Sequence, residues 1–373
     1  MEKMLLHNAA NGTSCRLSVF RTEGGVSECH AMIEVEPLDD GFSEQLRRIR
    51  LAEQELQRSM PGMDGAKCVF KRYFLSDPTN QQPQIDEQSE CTVSYIGQPP
   101  LGGSKVALWV YYVGAEAAVV YKADELGSTV VRFGDAEHVW TMGLTRGEGT
   151  SYEQTWRLIQ DYERLLQTRY SASMEANCVR TWFFVRDVDT QYKGLVVARR
   201  ELFERMGMTA QTHYIASTCI GGNPAETAAL VQLGGYAMTG SVSSRYLYAP
   251  THLNRTSEYG VTFERGVLVN LRDRQTAYIS GTASINNKGE VVHVGDVRAQ
   301  TLRMWENVDA LLTEAGMTFE DVMQIVVYLR DIADYGVVKG MFAERFPTTP
   351  YIITLAPVCR PTWLVEMECI AVK

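Results

Sequence analysis

The sequence predicts an α+β fold built from three tandem copies of one β-α-β-α-β-β unit, and three observations carry that prediction. A β-branched and aromatic run ending in Asp occurs three times: Cys68-Val-Phe-Lys-Arg-Tyr-Phe-Leu-Ser-Asp77, Cys178-Val-Arg-Thr-Trp-Phe-Phe-Val-Arg-Asp187 and Ile325-Val-Val-Tyr-Leu-Arg-Asp331. Each run comes after a helical stretch that contains a Gln, and the Gln-to-Asp separations are 32, 33 and 31 residues (77−45, 187−154, 331−300). Two further strand-like segments come after each run. Recurrence at a fixed period is the mark of a repeated supersecondary unit.

A leading strand opens each unit: Arg16–Arg21, His138–Leu144 and Tyr278–Ile285. The helix comes next, and its third copy is the plainest. Leu302, Trp305, Val308, Leu311 and Leu312 recur at three- and four-residue steps, an amphipathic stripe, and Gly316 is a sensible C-terminal stop. The Asp-terminated runs read as buried strands. A second helix is expected at Lys193–Gly207 and Tyr335–Phe346. The first copy has the Pro/Gln-rich Asp77–Pro83 there, so its second helix is shortened or lost. Closing strands are expected at Cys91–Ile96 with Lys105–Val113, Thr212–Ile220 with Ala228–Met238, and Pro350–Val358 with Trp363–Val372. The Asp-to-Asp step is 110 and then 144 residues (187−77, 331−187), which places an extra segment around Gly240–Arg274. The boundaries drawn are 1–125, 126–240, an insertion at 241–274, and 275–373. With no low-complexity tract between them, the units are expected to pack as one body.

Composition removes whole classes of function. The 373 residues are 45% hydrophobic and 22% charged, values of an ordinary globular chain. A net charge of -9 argues against nucleic-acid binding, which needs Lys and Arg to neutralise phosphates. No apolar run is long enough for a membrane span, and the start lacks the apolar core of a signal peptide. The eight cysteines form no C-x-x-C pair and several lie in strand-like runs, so reduced thiols and a cytoplasmic location are expected. The six scattered histidines show no ligand spacing, so no metal or other cofactor is expected. Gly102-Gly103 and Gly221-Gly222 are turn signals and open no phosphate loop.

The third copy resembles a known family. Tyr278-Ile-Ser-Gly-Thr-Ala-Ser284, Gly295-Asp-Val-Arg-Ala-Gln300, Glu306-Asn-Val-Asp-Ala-Leu-Leu312, Val327-Tyr-Leu-Arg-Asp331 and Val365-Glu-Met-Glu-Cys-Ile-Ala371 occur in order. The pattern resembles the RidA/YjgF family, often labelled endoribonuclease L-PSP or translation initiation inhibitor. It covers Tyr278–Lys373, and the first two copies share it only through their pattern. Family members are small α+β units that assemble as trimers, so the resemblance implies three RidA-like units forming an intramolecular pseudo-trimer, as a monomer or a small homo-oligomer.

Reactive-imine deaminases of the family carry an Arg shortly after Phe-Pro or Tyr-Pro. Here Phe346-Pro347 is followed by Thr348-Thr349-Pro350-Tyr351, without it. Ala356-Pro-Val-Cys-Arg-Pro-Thr-Trp-Leu-Val-Glu366 instead resembles the C-terminal motif of the chorismatases, in which a Cys precedes the catalytic Glu by seven residues. Cys359 and Glu366 stand in that relation (366−359). This implies a chorismatase-like enzyme acting on the enolpyruvyl ether of chorismate or a similar small anionic carboxylate, with Glu366 as general acid. The alternatives are a RidA-type enamine/imine deaminase and a non-catalytic ligand-binding or interaction protein.

The residues suggest roles of their own. Glu366 and Glu368 share one strand face with Leu364 and Ile370, and apolar surroundings raise a carboxyl pKa. A solvated strand face or an ion pair would equally place Glu there. A dianion needs cations, and Arg binds carboxylates bidentately. Arg360, Arg330, Arg180 and Arg245 are the candidates, each with an interface ion pair as its bland alternative. Tyr278, Ser280 and Thr282 on one face of the leading strand, and His213 and Tyr214 in the second copy, complete the expected binding residues. Cys359 is expected as a wall residue, because no His stands near it to activate the thiol.

Overall fold

The computed structural model describes residues 1–38, 40–60, 63, 65–85, 89–114, 118–133, 135–240 and 242–373. The first unit contains β1 (Glu2–Asn8), β2 (Thr13–Arg21), β3 (Ser27–Val35), α1 (Phe42–Ser59), β4 (Lys67–Leu75), α2 (Pro78–Gln81), β5 (Thr92–Gly97) and β6 (Val106–Gly114). The second contains β7 (Ala118–Ala123), β8 (Ser128–Phe133), β9 (Ala136–Thr145), α3 (Ser151–Tyr170), α4 (Met174–Asn177), β10 (Cys178–Val185), α5 (Val188–Arg205), β11 (Ala216–Gly221) and β12 (Val231–Thr239). The third contains β13 (Ser243–Leu247), β14 (Gly266–Asn270), β15 (Gln275–Ala283), α6 (Val297–Glu314), β16 (Val322–Leu329), α7 (Tyr335–Arg345), β17 (Tyr351–Leu355) and β18 (Val365–Val372).

Each unit is one six-stranded sheet, and all three have the same order: first, second, third, sixth, fourth, fifth strand. The fold is therefore α+β, with three tandem RidA-like units. The fourth and fifth strands pair in parallel, as β4–β5, β10–β11 and β16–β17 do. A parallel pair needs a crossover between its strands. In the second and third units α5 and α7 lie in that connection. In the first it has shrunk to the four-residue α2 and one 3₁₀ turn, as its Pro/Gln content predicts.

The two sequence markers have a physical cause. Gln45, Gln154 and Gln300 are all buried in their helices. Their side-chain oxygens accept from the backbone N–H of Lys105 (2.7 Å), Leu230 (2.7 Å) and Leu364 (2.9 Å), each the residue just before the unit's last strand. One buried amide thus ties helix to closing strand in every copy, where an orphaned N–H would be costly. The Asp markers close the strand and nucleate the turn that leaves it. Asp77 caps α2, Asp331 accepts from Ala333 N (2.9 Å), and Asp187 holds Thr190 Oγ1 (2.6 Å).

The outer edge of each unit corrects the sequence reading. Three strands, not one, precede each main helix. In the first unit the expected leading strand Arg16–Arg21 lies in β2, and the strand equivalent to β9 and β15 is β3, whose Glu28, His30 and Glu34 break its apolar pattern. The boundary drawn at 125/126 cuts the hairpin β7–β8, both strands of which belong to the second sheet. Within 241–274, β13 and β14 are regular strands of the third sheet. What is inserted is their connection, 18 residues (Tyr248–Arg265) where β1–β2 and β7–β8 each have four, counting between the strand ends.

The three sheets pack by their inner faces. An aromatic chain crosses all three units: Phe70 on Trp140 (5.2 Å), Trp140 on Tyr236 (4.0 Å), Tyr236 on Tyr278 (5.2 Å). Backbone bridges Gly97–Asn223, Ile220–Val358 and Pro100–Thr354 join the units pairwise. Between the second and third units β11 lies against β15, and Glu264 N donates to Ile215 O (3.0 Å). No helix among the described residues is long and apolar enough to cross a membrane.

Candidate active site

Between the second and third units lies a narrow cavity of about 30 Å³, with room for about one or two waters as it stands. The second unit supplies Tyr192 and Arg199 from α5 and Ser217, Thr218 and Cys219 from β11. The third supplies Gly281 and Ala283 from β15 with Ile285, then Cys359, Trp363 and Glu366. The inserted β13–β14 connection closes the cavity with Tyr259, Phe263 and Arg265.

Glu366 sits at the start of β18, paired in register with Ala283 and Tyr328, and is only 5% exposed. Its carboxyl lies against Gly281, where an added Cβ would stand 2.3 Å from Oε1 and 3.1 Å from Thr218 Cγ2. A side chain there would displace the Glu366 carboxyl from its present position. Burial, and then the charge of Glu368, push the Glu366 carboxyl up to about 8, against a smaller pull down from Arg265 and Arg180. The group therefore holds its proton at neutral pH. Burial likewise pushes the Cys359 thiol up to about 12, so it lines the wall as a neutral group.

Glu368, two residues on, has a different environment. Arg180 Nη2 donates to its Oε2 (2.7 Å) and Trp182 Nε1 to its Oε1 (2.9 Å), while Arg72 Nη1 stands 3.9 Å away. All three units contribute to this buried cluster. It holds the centre of the assembly, and Glu368 does not line the cavity.

The arginines of the cavity are Arg199 and Arg265. Arg199 is 1% exposed, its Nε donates to Thr262 Oγ1 (3.1 Å), and its Nη1 has no hydrogen-bond partner among the described residues. Arg265 is 3% exposed and, among the described residues, its hydrogen bonds all go to Asn254. Six arginines are buried among the described residues. Arg48, Arg72, Arg180 and Arg274 have a carboxylate within 4.0 Å, and Arg199 and Arg265 do not. A buried cation ordinarily has a counter-charge. The two that lack one line the same cavity.

Strand register shows that this cleft differs from its two counterparts. Glu366 opposes Tyr328 one residue before the end of the β16 pairing. The matching positions are Gln232 opposite Phe184 in the second unit and Ala107 opposite Phe74 in the first. Gln232 donates to Ser94 Oγ (2.8 Å) between the first and second units. The third unit alone has a carboxyl at this position.

Of the residues expected at the site, Glu366 and Cys359 are brought together in the cavity. Arg360 lies just outside it, its guanidinium over Tyr259 (5.3 Å) and Trp363 (5.6 Å). The others lie elsewhere. Arg330 joins the units, donating to Val358 O (2.8 Å) and Asp189 Oδ2 (2.6 Å). Arg180 belongs to the Glu368 cluster. Arg245 donates to Glu314 O at the end of α6 (2.9 Å), where a cation complements the helix dipole. His213 stacks on Tyr246 (4.9 Å), and Tyr214 N donates to Glu264 Oε1 (2.9 Å). Tyr278 belongs to the central aromatic chain.

Ser280 accepts from Ser217 N (2.9 Å) and Arg180 Nη1 (3.1 Å) and donates to Glu264 O (2.6 Å), while Thr282 Oγ1 donates to Ser280 O (2.9 Å). These are supports behind the wall. The cavity takes the opposite parity of β15, Gly281 and Ala283, across a register break between Ile279 and Thr282. The sequence reading missed Arg199 and Arg265. Arg199 is a lone charge in the buried stripe Leu195, Ala198, Leu202 of α5, which is a readable signal. Among the described residues no group of three or more His, Cys, Asp or Glu side chains is placed to hold a metal ion.

Comparison with known proteins agrees with this architecture. The family model of endoribonuclease L-PSP matches residues 267–373. The chain is 35% identical over 97 residues to the 3-aminoacrylate deaminase RutC of Acinetobacter baylyi, covering 25% of this chain and 76% of that protein. It is 35% identical over 99 residues to a RutC family protein of Pyrococcus abyssi, covering 26% of this chain and 77% of that one. Among solved structures, a chorismatase matches with a TM-score of 0.65 at 18% identity, over 84% of this chain and 96% of that one. At that identity the likeness is one of fold.

Proposed function

The chain belongs to the RidA/YjgF superfamily of endoribonuclease L-PSP and RutC proteins, and on that premise we propose that it is a chorismatase-like enzyme working in the cavity between its second and third units. One observation carries the reading. A buried carboxyl raised to about 8 shares a narrow cavity, which must widen to admit a substrate, with two buried guanidiniums that have no carboxylate within 4.0 Å among the described residues. That set suits a substrate with carboxylates to bind and a carbon to protonate.

The chemistry is set by those groups. Arg199 and Arg265 hold the carboxylates of chorismate or a similar enolpyruvyl ether. Glu366 gives its proton to the methylene carbon of the enol ether. Positive charge develops on the adjacent ether carbon, beside the carboxylate that Glu366 has become. Water adds to that carbon, and the hemiketal collapses with cleavage of its bond to the ring oxygen. The products are pyruvate and the ring alcohol. Rearrangement with loss of water, giving a hydroxybenzoate, is the competing outcome. Exclusion of bulk water by Tyr259, Phe263 and Trp363 strengthens each electrostatic contact.

A second reading, enamine deamination, is favoured by the 35% identity to a 3-aminoacrylate deaminase. That match covers 97 residues, a quarter of this chain, and neither Thr348–Tyr351 nor the residues leading into β11, Gln211–Ile215, include an arginine. One experiment separates the two. The purified protein is incubated with chorismate and with 3-aminoacrylate, and the products are monitored by proton NMR and an ammonia assay. Pyruvate and a ring product from chorismate support the reading. Ammonia from 3-aminoacrylate at a higher kcat/KM, with chorismate unchanged, replaces it.

A further inference from the structure

We propose that Asn254 is a positioning residue that keeps the charge of Arg265 available to an anionic ligand, by offering neutral oxygens where a carboxylate would otherwise stand. The inference rests on the reading of the cavity as an anion site. Arg265 Nε and Nη2 donate to the backbone oxygen of Asn254 (3.2 and 3.2 Å), and Nη2 donates to Asn254 Oδ1 (3.0 Å). The guanidinium lies over Tyr259 (5.4 Å) and Phe263 (5.5 Å). It is thereby fixed in place by neutral oxygens, with no carboxylate within 4.0 Å among the described residues. Its Nη1 has no hydrogen-bond partner among the described residues.

Asn254 is itself closely packed. It is 6% exposed and lies over Gly289, in a turn with φ +76°, where a Cβ would stand 2.6 Å from its Nδ2. Asp has the same shape as Asn and would give Arg265 an internal ion pair like that of Arg48 with Asp40 (2.6 Å). The neutrality of position 254 therefore matters as much as its shape. Thr262 plays the same part for Arg199 with another neutral oxygen. Both anchors come from the 18-residue β13–β14 connection, which is four residues in the other two units. The insertion thus supplies Arg265 and the anchors of both cavity arginines.

The test compares Asn254→Ala with Asn254→Asp in the full chain carrying Glu366→Gln, so that ligand binds without turnover. Dissociation constants for chorismate, and separately for malonate, are measured by calorimetry. The Ala variant loses the side-chain anchor and should bind about 3–10-fold more weakly. The Asp variant keeps the anchor but neutralises the cation, and should bind about 30–100-fold more weakly, with a melting temperature at or above that of Asn254. A purely structural role predicts the opposite order, because Asp preserves the shape and Ala does not. Asp binding as well as Asn, or better than Ala, overturns the inference. Binding of malonate but not chorismate sinks the chorismatase reading alone, and the malonate series then decides the role of Asn254. If the parent protein binds neither anion, both fall.

Discussion

Replacing Glu366 with Gln should change how the stability of the protein depends on pH. Gln keeps the shape of the side chain and removes its titration. In the folded chain the carboxyl is raised from 4.5 to about 8, chiefly by burial. The folded state therefore keeps a proton that the unfolded chain releases above about pH 4.5, so wild-type stability falls as pH rises and levels off above about pH 8. Each pH unit in that window is worth about 1.4 kcal/mol, so the full loss approaches 5 kcal/mol as an order of magnitude. Urea unfolding of wild type and Glu366→Gln between about pH 5 and pH 9 measures it, since other titrating groups cancel in the difference. The two curves should lie close near pH 5, with the variant more stable by several kcal/mol near pH 9. Parallel curves would refute the argument that burial holds the proton on Glu366.

Three further outcomes are expected. Glu368→Gln should destabilise the protein by about 3–5 kcal/mol in the same assay, because it strips the counter-ion from Arg180 and Arg72; a neutral effect would mean that the central cluster is not held by charge. Gly281→Ala puts a methyl group 2.3 Å from Glu366 Oε1 and should cost about 1–3 kcal/mol in urea unfolding and most of the turnover; an unchanged variant would show the wall to be loose. Arg199→Ala and Arg265→Ala should each raise the KM for chorismate about tenfold or more, whereas Arg330→Ala, at the unit interface, should leave KM unchanged; equal effects would remove the distinction between ligand and interface arginines.

Fold and site were legible to different depths, for physical reasons. The repeat was readable because each copy needs the same two devices, a buried Gln bonding the start of the last strand and an Asp closing the fourth. These sit at fixed separations along the chain. The outer hairpins were not readable. β1 is largely exposed, and β3 carries Glu28, His30 and Glu34 within a buried strand, so neither shows a clean period.

Glu366 and Cys359 were found through a motif local in sequence. Arg199 and Arg265 were hidden because their meaning lies in what they lack, a carboxylate partner, and that is a property of three-dimensional packing. The choice of Tyr278, Ser280 and Thr282 over Gly281 and Ala283 had a similar cause. Alternation separates the two faces of β15 but does not say which one meets the neighbouring unit, and the glycine that makes room for Glu366 carries no chemistry of its own to draw attention.

Glu366 is the group proposed to supply the proton in the cavity between the second and third units. The most direct measurement is the initial rate of pyruvate release from chorismate, coupled to NADH oxidation by lactate dehydrogenase, for wild type and Glu366→Gln side by side. The wild type should release pyruvate and the variant should do so about 10²–10⁴-fold more slowly, with the affinity for chorismate retained. Equal rates in the two proteins, or no pyruvate from the wild type, would contradict this role of Glu366.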